Sequence, residues 1–382
     1  MERDREFDAV LIRKISETLN EQIDENINAD DVMFDLGLRY LRMMAAEKKK
    51  MDSRKASQLS LWVKEAASIQ ELISYVDAVT DRDHPDYIPP VDRIAVFDLD
   101  GTLFCESDPT WFDFMLYRYR IKEDQTYKDK ATEYENRIAD TVQSIIDTGF
   151  VPDGFEVEIG HCIAQAFAGM SVGEFAQYIR DFAEKPSPIY NGMNIGDAFY
   201  LPMVQVIDYL QDNGFTVYVC SGSDRQVVRA LVEGGLILAA RYVIGTEELI
   251  SAKNQGGRIG AEYVLSNNEE LVLSGKIAEK NLKMTKVSMI AQQVGQCPVL
   301  SFGNSAGDIS ISNYVTGNEQ YRTAAFFVCC DDEVRESGSP EKAQKIYEIC
   351  AENGWIPISM KNDWKTVFGE GITKKTLSGR MR

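Results

Sequence analysis

Short, mostly apolar runs recur through this chain and constrain its fold more than any other feature. They are Arg93-Ile94-Ala95-Val96-Phe97, then residues 215–220, 241–244, 298–302 and 324–328. A strand with one solvated face alternates apolar and polar residues, whereas a strand covered on both faces reads as a continuous apolar run. Between the runs lie helical patterns at 202–212, 224–232 and 286–294. Strands alternating with helices predict an α/β fold, a doubly wound parallel sheet with helices on both faces. A further helix is expected at 68–79. After it, Pro85-Asp86-Tyr87-Ile88-Pro89-Pro90 places three prolines where the chain must run extended into the first strand.

Two stretches fall outside this alternation. Residues 104–200 show helical patterns and no convincing strand, which reads as a helical lid or cap inserted after the first strand, with Tyr190–Asn194 as the return to the core. Near the N-terminus, Phe7, Leu11, Ile15, Leu19, Ile23 and Ile27 fall at four-residue steps and form one apolar stripe. A second helix is expected over 31–46, then a polar linker over 47–55. The expected organisation is an N-terminal helical extension and linker at 1–57, an α/β core at 58–104 and 200–382, and a mainly helical cap at 105–199. The N-terminal helices suit either packing on the main body or self-association. Residues 263–273, with Asn267-Asn268 at their centre, are expected to form a β-hairpin.

Composition narrows the function classes. Sixty acidic residues against 41 basic ones give a formal net charge of −19, which disfavours a phosphate-backbone binder driven by bulk charge, so no nucleic-acid partner is expected. A small phosphorylated ligand is still compatible, because a metal ion inverts the local field. No apolar run approaches the ~20 residues of a membrane span, and the N-terminus lacks the basic-then-apolar order of a signal peptide. A cytoplasmic protein without a membrane partner is the expectation. Seven scattered cysteines with no CxxC pair suit buried reduced thiols, and Cys329-Cys330 reads as a strand end. Two histidines, His84 and His161, leave little material for a histidine triad or a zinc site.

Four groups of residues carry the chemistry. Asp98-Leu99-Asp100-Gly101-Thr102 follows the first strand, and open α/β sheets bind ligands beyond the carboxyl ends of their strands. One carboxylate there can act as a nucleophile and the other as a proton donor and acceptor. The same residues also suit a plain turn. Ser221-Gly222-Ser223-Asp224 follows the second core strand, where a hydroxyl and free N–H groups at a helix start can cradle phosphate; Ser223 with Gln226 three residues on reads as a capping box. Lys286 opens a helix and can neutralise phosphate or the aspartate, in competition with Lys276, Lys280 and Lys283. Gly303-Asn304-Ser305-Ala306-Gly307-Asp308 offers oxygen ligands suited to Mg²⁺ at a fourth strand end.

Taken in order, Asp98-x-Asp100-Gly101-Thr102, Ser221-Gly222, Lys286 and Gly303-Asn304-Ser305-x-Gly307-Asp308 resemble the motifs of the haloacid dehalogenase superfamily. The likeness covers most of the chain from about Leu59 and is greatest to phosphatase-like members with a helical cap after the first motif. The resemblance implies a Rossmann-like core in which Asp98 attacks phosphorus and Asp100 is the general acid/base. Gly101, Thr102, Ser221, Gly222 and Lys286 would hold the phosphoryl group. Mg²⁺ would bind Asp98, the backbone carbonyl of Asp100, Asn304 and Asp308. Asn304 departs from the acidic residue that many members carry: either its amide oxygen still binds the metal directly or Asp308 does more of that work. An acid at position 100 disfavours the dehalogenase branch.

The implied function is a Mg²⁺-dependent phosphomonoester hydrolase acting through an aspartyl-phosphate on a small soluble phosphorylated metabolite. A phosphotransferase or mutase using the same intermediate is one alternative, and a non-catalytic interaction protein is another. Within the expected cap, Glu106 and Asp108 are candidates to face a cationic substrate group. Trp111 and Phe112 are candidates to cover the substrate; the favoured alternative is that the aromatics pack the cap core and the acids are solvated.

Overall fold

The computed structural model describes residues 59–375. The expected N-terminal helices and linker at 1–57 lie outside them. Helix α1 (Ala67–Thr80) leads through the proline-rich segment to β1 (Ile94–Phe97). The insertion carries α2 (Phe112–Lys122), α3 (Glu133–Thr148), α4 (Phe155–Ala166) and α5 (Val172–Ala183), then the short strand β2 (Tyr190–Asn191). The chain continues through α6 (Leu201–Asp212), β3 (Thr216–Asp224), α7 (Arg225–Gly235), β4 (Val243–Ala252) and β5 (Leu271–Glu279). It ends with α8 (Met284–Gln293), β6 (Leu300–Gly303), α9 (Ile309–Thr316), β7 (Ala324–Cys329), α10 (Pro340–Asn353), β8 (Ile356–Ser359), α11 (Met360–Asp363) and β9 (Thr373–Lys374).

Seven strands form one sheet in the order β5-β4-β3-β1-β6-β7-β8, parallel except for the antiparallel edge pair β4/β5. The predicted α/β sheet is therefore present. Successive residues of β1 serve opposite faces, as a doubly covered strand requires: Phe97 joins the larger core, while Val96 packs with Cys220, Ile244, Ile290 and Ile311 on the other side. Register places Phe97 beside Phe302 and Phe302 beside Phe326. Their rings stack at 4.1 Å and 5.0 Å, a ladder that ties the three central strands. Strand order reverses at β1, with β3 on one side and β6 on the other. That switch point opens a crevice beyond the strands' carboxyl ends.

Two local expectations change, and one strand is added. The hairpin is wider than 263–273: its arms are β4 and β5, because β4 runs on past Ile244 and pairs Ala252 with Leu271. Asn268 keeps a left-handed backbone (φ 63°) inside the connecting loop. The insertion holds one short strand after all, β2, which pairs with β9 near the far end of the described chain. Strand β8 had no sequence signal of its own.

Among the described residues no helix is long and apolar enough to cross a membrane. All seven cysteines are free.

Candidate active site

The carboxyl ends of β1, β3 and β6 and the start of α8 bring the predicted residues together. Hydrogen bonding puts Asp98 at the end of β1 against β6, its N–H donating to the Phe302 carbonyl at 2.9 Å. The chain then turns sharply: the Gly101 N–H returns to the Phe104 carbonyl at 2.7 Å, with Gly101 at φ +76°. A β-carbon at Gly101 would lie 1.8 Å from Asn304 Nδ2, so only glycine lets the two loops meet.

Lys286 is buried at 4 % exposure in the first turn of α8. Its Nζ donates to Asp98 Oδ1 at 2.7 Å and to Asp308 Oδ1 at 2.8 Å. Lys276 and Lys283 are exposed, and Lys280 lies against Gly160 of α4, so none of them takes this place. The other Asp308 oxygen accepts from the Asn304 and Ser305 N–H groups and from the Ser305 hydroxyl. Two carboxylates share one ammonium. Burial opposes the charge on Lys286, but the two carboxylates outweigh it and push its pKa up. Burial, then repulsion from Asp308, pushes the Asp98 carboxyl up against the pull of Lys286.

Asp100 turns to β3. Its Oδ2 accepts from Ser221 Oγ at 3.3 Å and Ser223 Oγ at 3.0 Å, while Oδ1 is buried without a partner. Burial and the nearby Asp113 carboxylate raise Asp100 to about 6. Ser223 is therefore not the helix cap. Asp224 caps α7, accepting from the Gln226 and Val227 N–H groups. Ser221 and Ser223 stand two residues apart on one strand and so share a face, which is how both reach one carboxylate.

The remaining candidates divide. Thr102 Oγ1 and Asn304 Oδ1 are buried and unpartnered at the Asp98–Gly101 turn. Glu106 reaches it too, hydrogen-bonded to Asn304; burial, with Asp100 and Glu336 adding to it, lifts its pKa to about 7. Asp108 faces away, its Oδ1 accepting from Ser187 Oγ at 2.6 Å and the Ile189 N–H at 3.2 Å, so it ties the two insertion linkers together. Phe112 is buried in the core, edge-on to Phe104 and Phe182, and Trp111 rests on Phe114. Three residues next to the site carried no signal in the sequence: Asp113, a lone acid inside the buried first turn of α2, and Thr246 and Asn281, which bond to the Ser221-Gly222 loop.

A family model described as haloacid dehalogenase-like hydrolase matches residues 95–310, a span that holds all four motifs. The chain belongs to this hydrolase family. Solved structures show remote similarity to this family member. A protein of unknown function from Bordetella pertussis Tohama I is 16% identical over 70% of this chain and 97% of its own, with a TM-score of 0.42. A conserved functionally unknown protein from Anaerococcus prevotii DSM 20548 is 13% identical over 76% and 91%, with a TM-score of 0.47. A phosphoserine phosphohydrolase-like protein from Francisella tularensis SCHU S4 is 13% identical over 66% and 92%, with a TM-score of 0.37. No curated protein matches the chain.

Proposed function

We propose that this hydrolase-family chain is a phosphomonoester hydrolase that works through an aspartyl-phosphate on Asp98. The observation that carries the proposal is the bridge from one buried ammonium, Lys286, to the carboxylates of Asp98 and Asp308. Beside it, Asp100 accepts hydrogen bonds from two serines, while burial and then Asp113 raise its carboxyl to about 6. A carboxylate fixed by a buried cation is a nucleophile whose approach to an anionic phosphate is compensated, and an acid near pKa 6 can both give and take a proton at neutral pH.

In the first step an Asp98 carboxylate oxygen attacks phosphorus. The P–O bond to the substrate alcohol breaks, and Asp100 delivers its proton to the departing oxygen. In the second step Asp100, now ionised, takes a proton from water as that water attacks the same phosphorus. Inorganic phosphate leaves and the Asp98 carboxylate is restored. Ser221 Oγ, the N–H groups of its loop and Lys286 are assigned to the transferring phosphoryl oxygens, with Gly101, Thr102 and Gly222 lining the cradle.

A divalent cation fits this site. Asp98, Lys286 and Asp308 together carry a net charge of −1, which repels a phosphate dianion. Among the described residues no group of three or more carboxylate, thiol or imidazole side chains is arranged to hold a metal, and a cation here would be held by two carboxylates and neutral oxygens. The donors are hard: Asp98, Asp308, the carbonyl of Asp100, and the buried, unpartnered Asn304 Oδ1. That set suits Mg²⁺, which is commonly held by one or two carboxylates and waters. Bound there, Mg²⁺ supplies charge neutralisation of the phosphoryl oxygens.

The substrate class we assign is a small phosphorylated metabolite, since a net charge of −19 disfavours a polyanionic substrate. Purified Asp98→Asn should lose hydrolysis of an aryl phosphate by on the order of 10³-fold or more with its fold intact. Excess chelator should silence the wild type, and Mg²⁺ should restore it. Unchanged turnover in Asp98→Asn would remove the nucleophile.

A further inference from the structure

The proposed phosphate loop is gripped from behind. The Thr246 hydroxyl, 1 % exposed on β4, donates to the Gly222 carbonyl at 2.6 Å. The same oxygen accepts the Asn281 N–H at 3.1 Å. The Asn281 side chain, fully buried, donates through Nδ2 to the Ser221 carbonyl at 2.8 Å. Two side chains thus occupy the carbonyls of the two residues whose hydroxyl and N–H are assigned to phosphate. With their carbonyls fixed, the peptide planes of Ser221-Gly222-Ser223 cannot rotate to aim oxygen at the ligand.

The cost of this arrangement is visible. Asn281 Oδ1 is buried and has no partner. An apolar residue in its place would remove that orphan but leave the buried Ser221 carbonyl unpaired, so the amide serves the loop carbonyl at the cost of its own oxygen. Asn281 also lies five residues ahead of Lys286, on the connection that delivers it. The Thr246–Asn281 link therefore sets the loop and the ammonium in one register. Close packing reinforces this: a β-carbon on Gly222 would meet Leu282 Cδ2 at 2.9 Å.

We infer that Thr246 and Asn281 are positioning residues: they clamp the Ser221-Gly222 loop and align it with Lys286 for the phosphoryl group. This rests on the phosphatase reading above.

The test compares wild type, Thr246→Val, Thr246→Ser and Asn281→Ser in three measurements: hydrolysis of an aryl phosphate, binding of inorganic phosphate by calorimetry, and melting temperature. Valine keeps the volume and loses two hydrogen bonds; serine keeps both. Thr246→Val is expected to lower kcat/KM and to weaken phosphate binding by the same factor, about tenfold, as for the loss of one to two buried hydrogen bonds. Thr246→Ser should recover both to within about twofold, on the same hydrogen-bond reasoning. Asn281→Ser removes only the amide and should repeat the loss, which keeps the test available if Thr246→Val folds poorly. Phosphate affinity unchanged in Thr246→Val and Asn281→Ser would overturn the clamp. A lowered melting temperature with no change in kcat/KM or phosphate affinity would do the same, since that is a structural role only. A wild type that neither hydrolyses the ester nor binds phosphate would instead defeat the phosphatase reading.

Discussion

Replacing Lys286 by Met isolates the electrostatics of the site. The ammonium is 4 % exposed and bonds Asp98 at 2.7 Å and Asp308 at 2.8 Å. Methionine fills a similar volume but leaves two buried carboxylates facing each other with no counter-charge. Removing one partner of a buried pair costs about 3–5 kcal/mol. That cost depends on ionisation. Asp98 already has its carboxyl pushed up by burial and by Asp308, and losing the lysine removes the one group that pulls it down. A carboxyl whose folded pKa lies above its unfolded value destabilises the fold as pH rises through the window between them. The variant should therefore lose about 3–5 kcal/mol at pH 8 and about 1 kcal/mol at pH 5, where one carboxyl takes a proton. Urea unfolding of wild type and variant at both pH values measures this. Lys276→Met, at an exposed position, is the control and should stay within about 0.5 kcal/mol of wild type. Added Mg²⁺ should recover part of the loss at pH 8 through binding to the native state. A loss equal at the two pH values, or below about 1 kcal/mol at pH 8, would refute the shared-ammonium picture.

Two further outcomes follow from the geometry. Asp100 sits near 6 because of burial and then Asp113, and its first role needs the protonated form. The kcat/KM profile should therefore fall as pH rises through about 6. Asp113→Asn should move that limb to lower pH; a limb that stays in place removes Asp113 from the tuning. Gly101→Ala forces a β-carbon 1.8 Å from Asn304 Nδ2 at φ +76°. The strained backbone and overpacking predict a loss of about 2–4 kcal/mol by chemical denaturation, with activity falling further than stability explains.

Much of this was legible beforehand for a physical reason. Ile94–Phe97 and Ala325–Val328 are buried throughout, so nothing polar interrupts them and they stand out, whereas 215–220 carries the half-buried Thr216 and Tyr218 and is marked by its apolar alternates. Asp98-x-Asp100-Gly101 is legible because a turn that must approach Asn304 without a β-carbon leaves a glycine in the sequence. Strand β8 was not legible. Ile356-Pro357-Ile358-Ser359 contains a proline, which argues against a central strand, and it forms the outermost strand of the sheet, where a missing N–H is tolerated. Ser223 misled for a different reason. Ser-x-x-Gln is a local cap signature, but Asp224 one residue on accepts from the same helix start, which frees the Ser223 hydroxyl for Asp100. The contacts of Thr246 and Asn281 with the loop join residues 24 and 60 apart in sequence. No local pattern encodes such pairs.

Turnover by this mechanism passes through a covalent step at Asp98, and that step can be observed. Mix the enzyme with excess aryl phosphate, quench in acid within one turnover, and map the peptides by mass. The peptide containing Asp98 should gain the mass of one phosphoryl group, and the same peptide from Asp98→Asn should gain none. Turnover without any labelled Asp98 peptide, or a label carried by another residue in wild type, would contradict it.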